Sequence, residues 1–320
     1  MCTAITYRNG DFYFGRTLDY EKSYGESIAI MPRRFGFGKT SGEHYAVIGT
    51  AHIANNYPLY YDAVNEKGLA AAGLRFAGNA FYGEAVEGAE NIAQYELIPV
   101  ILSECATIRE AKERIGNINI TSKAFSENLP PSPLHWIFAD KDGCITVEQT
   151  MDGMKVYENP VGVLTNNPPF PMQLDNLSDY INISAKPPQN RFSDKIELTP
   201  QSRGTGALGL PGDWSSKSRF VRAAFAKLNA VSGKEETENV STFFHILSSV
   251  EQQRGCCELE NGEHELTVYS ACFNADKGIY YYKTYSATGI TAVNMHNENL
   301  DAEHLISFPM MTENHIATQN

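Results

Sequence analysis

MCTAITYRNGDFYFGRTLDY, residues 1–20, holds two strand-like runs on either side of Asn9-Gly10. The runs TAITYR and DFYFGR are rich in β-branched and aromatic residues, and an Asn-Gly pair between such runs is the strongest short-range signal for a β-hairpin. Cys2 would therefore sit at the tip of the first strand. The stretch predicts an antiparallel sheet that begins with the chain itself.

The next 140 or so residues alternate between groups of strands and one group of helices. Strands are predicted at SIAIM, YAVIGTA and GLAAAGLRF, and a helical stretch from about Gln94 to Gly116. Within that stretch, Thr107-Ile-Arg-Glu110 matches a capping box, which would open its second half. Strands then return at LHWIFAD, CITVEQT and MKVYEN, and the closely spaced turns between them favour antiparallel pairing.

The C-terminal half shows the same grouping. Residues 166–215 are rich in Pro, Asn, Ser and Gly and are interpreted as long ordered loops. Helices are predicted at SKSRFVRAAFAKLNAV, with Phe220, Ala224, Phe225 and Leu228 at helical spacing, and at VSTFFHILSSVEQQ. LTVYSACF and GIYYYKTY would form a last hairpin. The pattern indicates an α+β fold of antiparallel sheets with helical layers outside them.

Composition narrows the class of protein. With 320 residues, 42% of them hydrophobic and 20% charged, the chain has the profile of a soluble globular protein. The net charge of −12 argues against a nucleic-acid partner, because phosphate binding needs clustered Lys and Arg. We find neither a secretory signal nor a run of roughly 18 apolar residues, so we expect a cytoplasmic protein with no membrane partner.

The six cysteines are too sparse for a disulfide framework, and the sequence has no C-x-x-C or H-E-x-x-H zinc motif. Two interpretations of Cys2 are open from its position alone. A free cysteine commonly behaves as a small buried apolar residue. If Met1 is removed, however, Cys2 carries both a thiol and a free α-amine, and such an amine can act as base for its own nucleophile.

Four other polar residues become candidates for catalytic roles if Cys2 is a nucleophile. Arg16 and Asp19 would otherwise be a solvated ion pair, but beside Cys2 an arginine favours the thiolate and a carboxylate can orient the α-amine. Asn166, usually a turn residue in such a context, would be an oxyanion donor. Arg219 is either a surface residue or placed for another reason, since a cation near a helix start opposes the helix dipole.

Motifs along the whole chain resemble those of the choloylglycine hydrolases, the family of bile salt hydrolases and penicillin V acylases. They are Cys2 after the initiator, FGRTLDY, NEKGLAAAGL, LHW, GVLTNNP, LPGDWSSKSRFVR and GIYYYKTY, in family order and with near-family spacing. The sequence looks most similar to the bile salt hydrolases of lactobacilli and enterococci.

This resemblance implies an N-terminal nucleophile hydrolase with a four-layer αββα sandwich of antiparallel sheets. It implies one choloylglycine hydrolase domain over residues 1–320, from which Met1 is removed, assembled as a homotetramer. The substrate would be a small molecule, a conjugated bile salt, and no metal or organic cofactor would be needed.

The resemblance also implies the catalytic set Cys2, Arg16, Asp19, Asn166 and Arg219. The freed α-amine of Cys2 would relay its own thiol proton, and the thiolate would attack the amide carbonyl. Asn166 with a backbone N–H would stabilise the oxyanion. Arg16 would keep the sulfur anionic, Asp19 would bond the α-amine and Arg219 would balance charge. Glycine or taurine would leave, and water would hydrolyse the thioester.

The sequence departs from the family pattern at Arg75, where bile salt hydrolases carry asparagine and penicillin acylases tyrosine. Arg75 either reaches the carboxylate or sulfonate of the substrate's amino acid, or it points away and leaves a weaker enzyme. Alignment to the family's lining positions gives Leu18, Ala54, Leu129 and Leu134 as further substrate contacts, an apolar set suited to a steroid face.

Two alternatives to the bile salt amidase follow from the same residues. The chemistry would also cleave penicillin V or acyl-homoserine lactones, and Arg75 keeps this open. A catalytically inactive homologue that binds small molecules is disfavoured, because all five members of the catalytic set are present together.

Overall fold

A computed structural model describes residues 1–37 and 43–320, and two β-sheets form its centre. The strands are β1 Cys2–Asn9, β2 Asp11–Tyr20, β3 Ser27–Met31, β4 Val47–Ala54, β5 Tyr57–Asn65, β6 Ala70–Arg75, β7 Glu90–Ala93, β8 Ile118–Thr121, β9 Leu134–Ala139, β10 Cys144–Thr150, β11 Gly153–Glu158, β12 Val163–Leu164, β13 Leu266–Asn274, β14 Ile279–Thr284, β15 Thr291–Asn294 and β16 Ile306–Pro309. The α-helices are α1 Leu97–Glu104, α2 Ile108–Ile115, α3 Phe170–Asn176, α4 Ser216–Asn229 and α5 Glu236–Ser248.

The first sheet has six strands in the order β12-β1-β2-β13-β14-β15, and the second has eight in the order β11-β10-β9-β6-β5-β4-β3-β16. Each neighbouring pair within these two sheets is antiparallel. The separate two-stranded pair β7 and β8 is parallel.

Four layers follow from the way these elements bury their apolar faces. One core fills the space between the sheets and the space under α4 and α5, which pack on the six-stranded sheet. A second core lies between the eight-stranded sheet and α1 and α2. The order is therefore helices, sheet, sheet, helices.

The predicted N-terminal hairpin is confirmed and occupies the middle of its sheet. β1 lies between β12 and β2, and its register with β2 places Cys2 opposite Leu18 and Ala4 opposite Arg16. Gly10, at φ 71°, turns the chain between the strands, a conformation that glycine adopts without steric cost. β1 is consequently held by ladders on both sides, and Cys2 itself pairs with Leu18 on the β2 side.

Most predicted elements are found, but the helical regions need three corrections. The stretch from Gln94 breaks at Cys105, so that α1 and α2 are separate helices, and Thr107 caps the second as expected by accepting a bond from the Glu110 N–H. Residues 166–215 contain α3 in addition to loops. Leu228 is 65% exposed, whereas Phe220 and Ala224, predicted to share its face, are buried.

Candidate active site

The predicted catalytic residues come together around the start of β1. Cys2 opens β1, Arg16 and Asp19 lie on β2, Asn166 follows β12, and Arg219 lies in the second turn of α4. Cys2, Arg16 and Asp19 are each at most 2% exposed, and Arg219 is fully buried. Because side chains alternate along a strand, Cys2 and Arg16 face the eight-stranded sheet, whereas Asp19 faces the helical layer that carries Arg219.

Asn166 contacts the backbone of Cys2 directly. Its Oδ1 accepts from the Cys2 N–H at 2.9 Å and from Arg219 Nη2 at 2.7 Å, and its Nδ2 donates to the Arg75 carbonyl at 2.8 Å. The two donors on one side and the carbonyl on the other fix which way the amide points. One Nδ2 hydrogen remains available to a ligand.

Arg219 ties α4 to the same strand end. Its Nη1 donates to the Cys2 carbonyl at 2.6 Å and to Thr3 Oγ1 at 2.7 Å, and its Nε donates to the Trp214 carbonyl at 3.0 Å. Burial lowers the pKa of Arg219, and the charges of Asp19 and Cys2 oppose that shift. Its position opposing the helix dipole is thus explained by contacts with Cys2 and Asn166.

Asp19 is held by two hydroxyls. Thr267 Oγ1 donates to its Oδ1 at 2.6 Å and Thr17 Oγ1 donates to its Oδ2 at 3.2 Å. Burial raises the pKa of Asp19, and the N-terminal ammonium and Arg219 work against the increase. The carboxylate is therefore oriented toward the cationic groups at the start of β1.

Arg16 reaches across to the second sheet. Its Nη1 donates to the carbonyls of Tyr61 at 3.0 Å and Gly73 at 2.7 Å, and its Nε lies 4.0 Å from Asp62 Oδ2. Burial lowers the pKa of Arg16, but the charges of Cys2, Tyr269 and Asp62 outweigh it, so the net pKa lies above the usual value. Its Nη2 is buried, and none of the residues that the structure describes forms a hydrogen bond with it.

Met1 continues the β1–β2 ladder by one residue. Its carbonyl accepts from the Asp19 N–H at 2.8 Å, and its ammonium donates to the Asp19 carbonyl at 2.6 Å. The same ammonium forms an ion pair with the buried carboxylate of Glu265. Burial lowers the pKa of this ammonium, and the nearby Cys2 and Asp19 raise it.

A cavity of about 150 Å³ opens at Cys2, between the two sheets and the loop that precedes β9. Its polar members near the thiol are Arg16, Arg75 and Tyr20. The rest of the wall is largely aromatic and aliphatic and is formed by Leu18, His52, Leu59, Tyr60, Tyr61, Gly73, Gln94, Tyr95, Ile98, Phe125, Leu129, Pro130, Ser132, Leu134 and Trp136.

The structure places four of the five expected substrate contacts in this wall: Arg75, Leu18, Leu129 and Leu134. Ala54, the last residue of β4, is not among the residues that line this cavity, whereas His52, two residues earlier on the same face, is. The expected substrate contact of Ala54 stays a prediction.

Several aromatic lining residues were missed from the sequence. The sequence could have identified Tyr20, because it follows Arg16 and Leu18 at a spacing of two along β2 and so shares their face. Tyr95, Phe125 and Trp136 carry no such local signal, since the folding of separate segments brings them together.

Within residues 1–37 and 43–320, no group of three or more His, Cys, Asp or Glu residues is placed to hold a metal ion. In the same part of the chain, none of the helices combines the length and the apolar composition needed to cross a bilayer.

Comparison with known proteins gives one consistent result across the chain. A family model described as linear amide C–N hydrolases, choloylglycine hydrolase family, matches residues 2–308. The bile salt hydrolase/transferase of Lactiplantibacillus plantarum is 52% identical over 317 residues, which are 98% of this chain and 98% of that protein. The bile salt hydrolase/transferase of Clostridium perfringens is 37% identical over 318 residues, covering 96% of each.

Solved structures agree with the layer order described above. The C2A variant of the conjugated bile acid hydrolase from Clostridium perfringens matches with a TM-score of 0.92 at 36% identity, over 100% of both chains. Penicillin V acylase from Agrobacterium tumefaciens matches with a TM-score of 0.76 at 18% identity, over 96% of this chain and 90% of that one, which shows a shared fold. The expected four-layer architecture is confirmed.

Proposed function

Because the chain belongs to the choloylglycine hydrolase family of linear amide C–N hydrolases, we propose that it hydrolyses the amide bond of glycine- or taurine-conjugated bile salts with Cys2 as nucleophile. The observation that carries the proposal is the placement of Cys2 at a largely apolar cavity, with Asn166 bonded to its backbone nitrogen at 2.9 Å. The names of relatives at 52% and 37% identity support the substrate class.

The reaction begins once Met1 has been removed. The Cys2 nitrogen is then an amine, with an ordinary pKa of about 7.7–8.0 in model peptides. It accepts the proton of its own thiol, and the thiolate attacks the carbonyl carbon of the bile amide. Asn166 Oδ1, now the acceptor of the amide N–H, keeps the amine oriented toward the sulfur.

The tetrahedral oxyanion that forms needs donors already in place. The second Nδ2 hydrogen of Asn166 supplies one, because only the first is taken by the Arg75 carbonyl. A backbone N–H supplies another. Collapse of the intermediate passes the amine proton to the departing glycine or taurine nitrogen and leaves a thioester, which water hydrolyses to free the bile acid and the thiol.

Two arginines and one carboxylate set the charge around this chemistry. Arg16 faces Cys2 with an unpaired Nη2 and stabilises the thiolate. Arg219 fixes Asn166 and the Cys2 carbonyl, and its charge balances that of Asp19. Asp19 holds the α-ammonium that forms when the thiol gives up its proton.

The cavity wall suits a steroid, being aliphatic and aromatic with few polar groups. At about 150 Å³ it is smaller than the roughly 300–1,000 Å³ typical of small-molecule sites. We therefore expect the loop before β9, which contributes Phe125, Leu129, Pro130 and Ser132 to the wall, to open when the substrate binds.

Arg75 binds the anionic end of the substrate in this proposal. It lines the cavity together with Cys2, and its side chain makes no hydrogen bond or ion pair with any residue that the structure describes. The anchored Arg75 carbonyl keeps the residue beside the oxyanion donor. A free guanidinium at this place is a ready partner for a carboxylate or a sulfonate.

The first experiment compares amino-acid release from glycocholate and taurocholate with phenoxyacetate release from penicillin V, using protein whose mass shows the loss of Met1. Far faster cleavage of the bile salts is expected. Faster cleavage of penicillin V, or no turnover of either substrate, would refute the proposal.

Arg75→Asn should raise KM for the conjugated bile salts, and an unchanged rate and KM would rule out the role given to Arg75.

We also propose that residues 1–320 form one domain and that the protein assembles as a homotetramer. The match of the family model over residues 2–308 supports the first point. For the second, residues 181–208 expose a set of large apolar side chains, and exposed apolar surface of this kind marks protein–protein contacts when it forms one patch. They are Ile181, Phe192, Ile196, Leu198 and Leu208.

A further inference from the structure

Glu265 has an unusual position for a carboxylate. It directly precedes β13 and is 7% exposed, and its N–H donates to the Cys257 carbonyl at 2.9 Å. Thr267, two residues further on, places its hydroxyl on Asp19. By strand alternation, Glu265 and Thr267 point to the same side, toward the start of β1.

The charged partner of Glu265 is the Met1 ammonium. In the part of the chain that the structure describes, no Lys, Arg or His side chain lies within ion-pair distance of this carboxylate, and its Oε2 contacts only the Cys257 thiol at 3.7 Å. The two groups pair at the surface of the site, where the Met1 side chain is 27% exposed and that of Glu265 is 9% exposed.

Removal of Met1 takes this cation away and creates a new one nearby. A buried carboxylate left without a partner is strongly unfavourable. The new α-amine lies at Cys2, one residue along an extended chain and so within about 3.8 Å of the old one. A change of the Glu265 rotamer or one bridging water spans that distance.

We infer that Glu265 is a positioning residue of the mature enzyme, which holds the α-amine of Cys2 together with Asp19. The inference rests on the N-terminal nucleophile of the proposed function. The amine would then lie between Asn166 Oδ1, Asp19 and Glu265, three acceptors for the three hydrogens of an ammonium group. The other charged groups around it are Arg16, Arg219 and the Cys2 thiol.

The charge of Glu265 has a measurable consequence. A nearby anion makes it harder for the amine and thiol of Cys2, as a coupled pair, to lose a proton. Glu265→Gln should therefore move the acid limb of Cys2 reactivity to lower pH, by about 0.5–1 unit. The shift has this sign whichever of the two groups holds the proton.

The test measures the rate of Cys2 alkylation by iodoacetamide against pH, read by mass spectrometry of the N-terminal peptide. Each variant is released from an N-terminal fusion with Cys2 as its first residue, so that Met1 processing plays no part. Glu263→Gln, an exposed acid two residues away, is the matched control. The inference is supported if E265Q shifts the limb and E263Q does not.

The inference would be overturned if the acid limbs of the alkylation rate against pH coincide for E265Q and the wild type, or if E263Q shifts its limb by the same amount. Glu265→Asp keeps the charge but moves it away from the amine by one methylene. The acid limb of its alkylation rate should therefore lie between those of the wild type and E265Q. If E265Q does not fold, E265D decides alone, because a purely structural carboxylate leaves the limb unmoved. Alkylation needs no bile salt, so failure of the proposed substrate class would be recognised separately in the turnover assay.

Discussion

Both polar atoms of the Asn166 side chain form hydrogen bonds within the protein. Oδ1 accepts from Cys2 and Arg219, one Nδ2 hydrogen is given to Arg75, and its own N–H donates to Ser216 Oγ at 2.8 Å. Three separate segments of the chain, the start of β1, the end of β6 and the start of α4, therefore determine where its remaining hydrogen points. This preorganisation is what an oxyanion donor requires, since no energy is then spent on reorientation during the reaction.

Asn166→Ala should lower kcat by about 10²–10³-fold with a smaller change in KM, the usual effect of losing one oxyanion donor. The measurement is steady-state hydrolysis of glycocholate. Asn167→Ala is the matched control, because Asn167 is exposed and its hydrogen bonds within the described part of the chain go to Ala77, Asn79 and Gln173. Equal losses in both variants would show that the loop, and not the amide of Asn166, matters.

Asp62 lies behind Arg16, in a fully buried polar group between the two sheets. It accepts from the hydroxyls of Tyr269 and Tyr280 and stands 4.0 Å from Arg16 Nε. Burial raises the pKa of Asp62 to about 6, against the opposing influence of Arg16 and the tyrosine hydrogen bond. Ionising this group in the folded protein is therefore harder than in the unfolded chain.

A raised pKa in the folded state favours folding most at low pH, and the benefit is lost as pH rises through that pKa. Between pH 4 and pH 7 the wild type should thus lose roughly 2 kcal/mol of stability relative to Asp62→Asn, whose side chain does not titrate. Denaturant unfolding at several pH values measures the difference. Asp152→Asn, at an exposed turn, is the control, and parallel curves for D62N and the wild type would contradict the assignment.

For single residues, the sequence predicts which catalytic side chains lie close together, but not which hydrogen bonds and ion pairs hold them. The hairpin around Asn9-Gly10 is enough to place Arg16 and Asp19 near Cys2, because cross-strand neighbours are set by the turn. The roles of Asp62 and Glu265 are not accessible in this way. Each depends on contacts between residues at least 46 positions apart, such as Asp62 with Arg16 and Glu265 with Met1.

Helix α4 is the element that connects stability with the site. It carries Arg219 next to Phe220, and the fully buried Phe220 ring packs edge to face on Phe170 with ring centres 6.3 Å apart. The adjacent side chain then places the guanidinium on Cys2 and Asn166. Packing of the helix therefore sets the position of a catalytic contact.

Phe220→Ala should reduce the free energy of unfolding by about 3–5 kcal/mol, the range for removing a buried phenyl ring. Leu228→Ala on the same helix should change it by less than about 0.5 kcal/mol, because Leu228 is 65% exposed. Chemical denaturation followed by circular dichroism compares the two. A large loss in L228A would mean that the exposed end of α4 is covered by another surface.

The two residues also show what periodicity can and cannot predict for an element. Helical spacing identifies Phe220, Ala224 and Leu228 as one face. The structure buries Phe220 and Ala224 but leaves Leu228 exposed, a difference that the spacing alone does not predict. The start of α2, in contrast, is predicted correctly from the sequence, because the capping residues Thr107 and Glu110 encode it locally.

The whole molecule is built around two facing sheets, and the site lies at one end of the gap between them. The sequence predicts an α+β protein with antiparallel sheets, since strands and helices are grouped along the chain. It does not by itself give the order of layers, because β1 pairs with β12 and β2 with β13, more than 150 residues away. The family resemblance supplied that order.

Assembly can be tested at the same scale. Light scattering after size exclusion should give a mass four times that of the 35.5 kDa chain. Phe192→Ser, which changes an apolar residue of the 181–208 segment that is 84% exposed, should lower that mass or weaken the assembly on dilution. Val231→Ser is the control, as Val231 is 92% exposed but lies outside the segment. A monomeric wild type would contradict the proposal directly.

The pairing of Met1 with Asp19 and Glu265 also bears on the order of events during synthesis. Glu265 is among the last fifth of the residues to be made, and at about 5–20 residues per second the ribosome reaches it only after roughly 13–50 s. Until then the carboxylate that captures the Met1 ammonium does not exist. A nascent chain thus offers an aminopeptidase a free N-terminus for most of translation, and a chain that completes folding with Met1 attached has passed the time when that residue was easiest to remove.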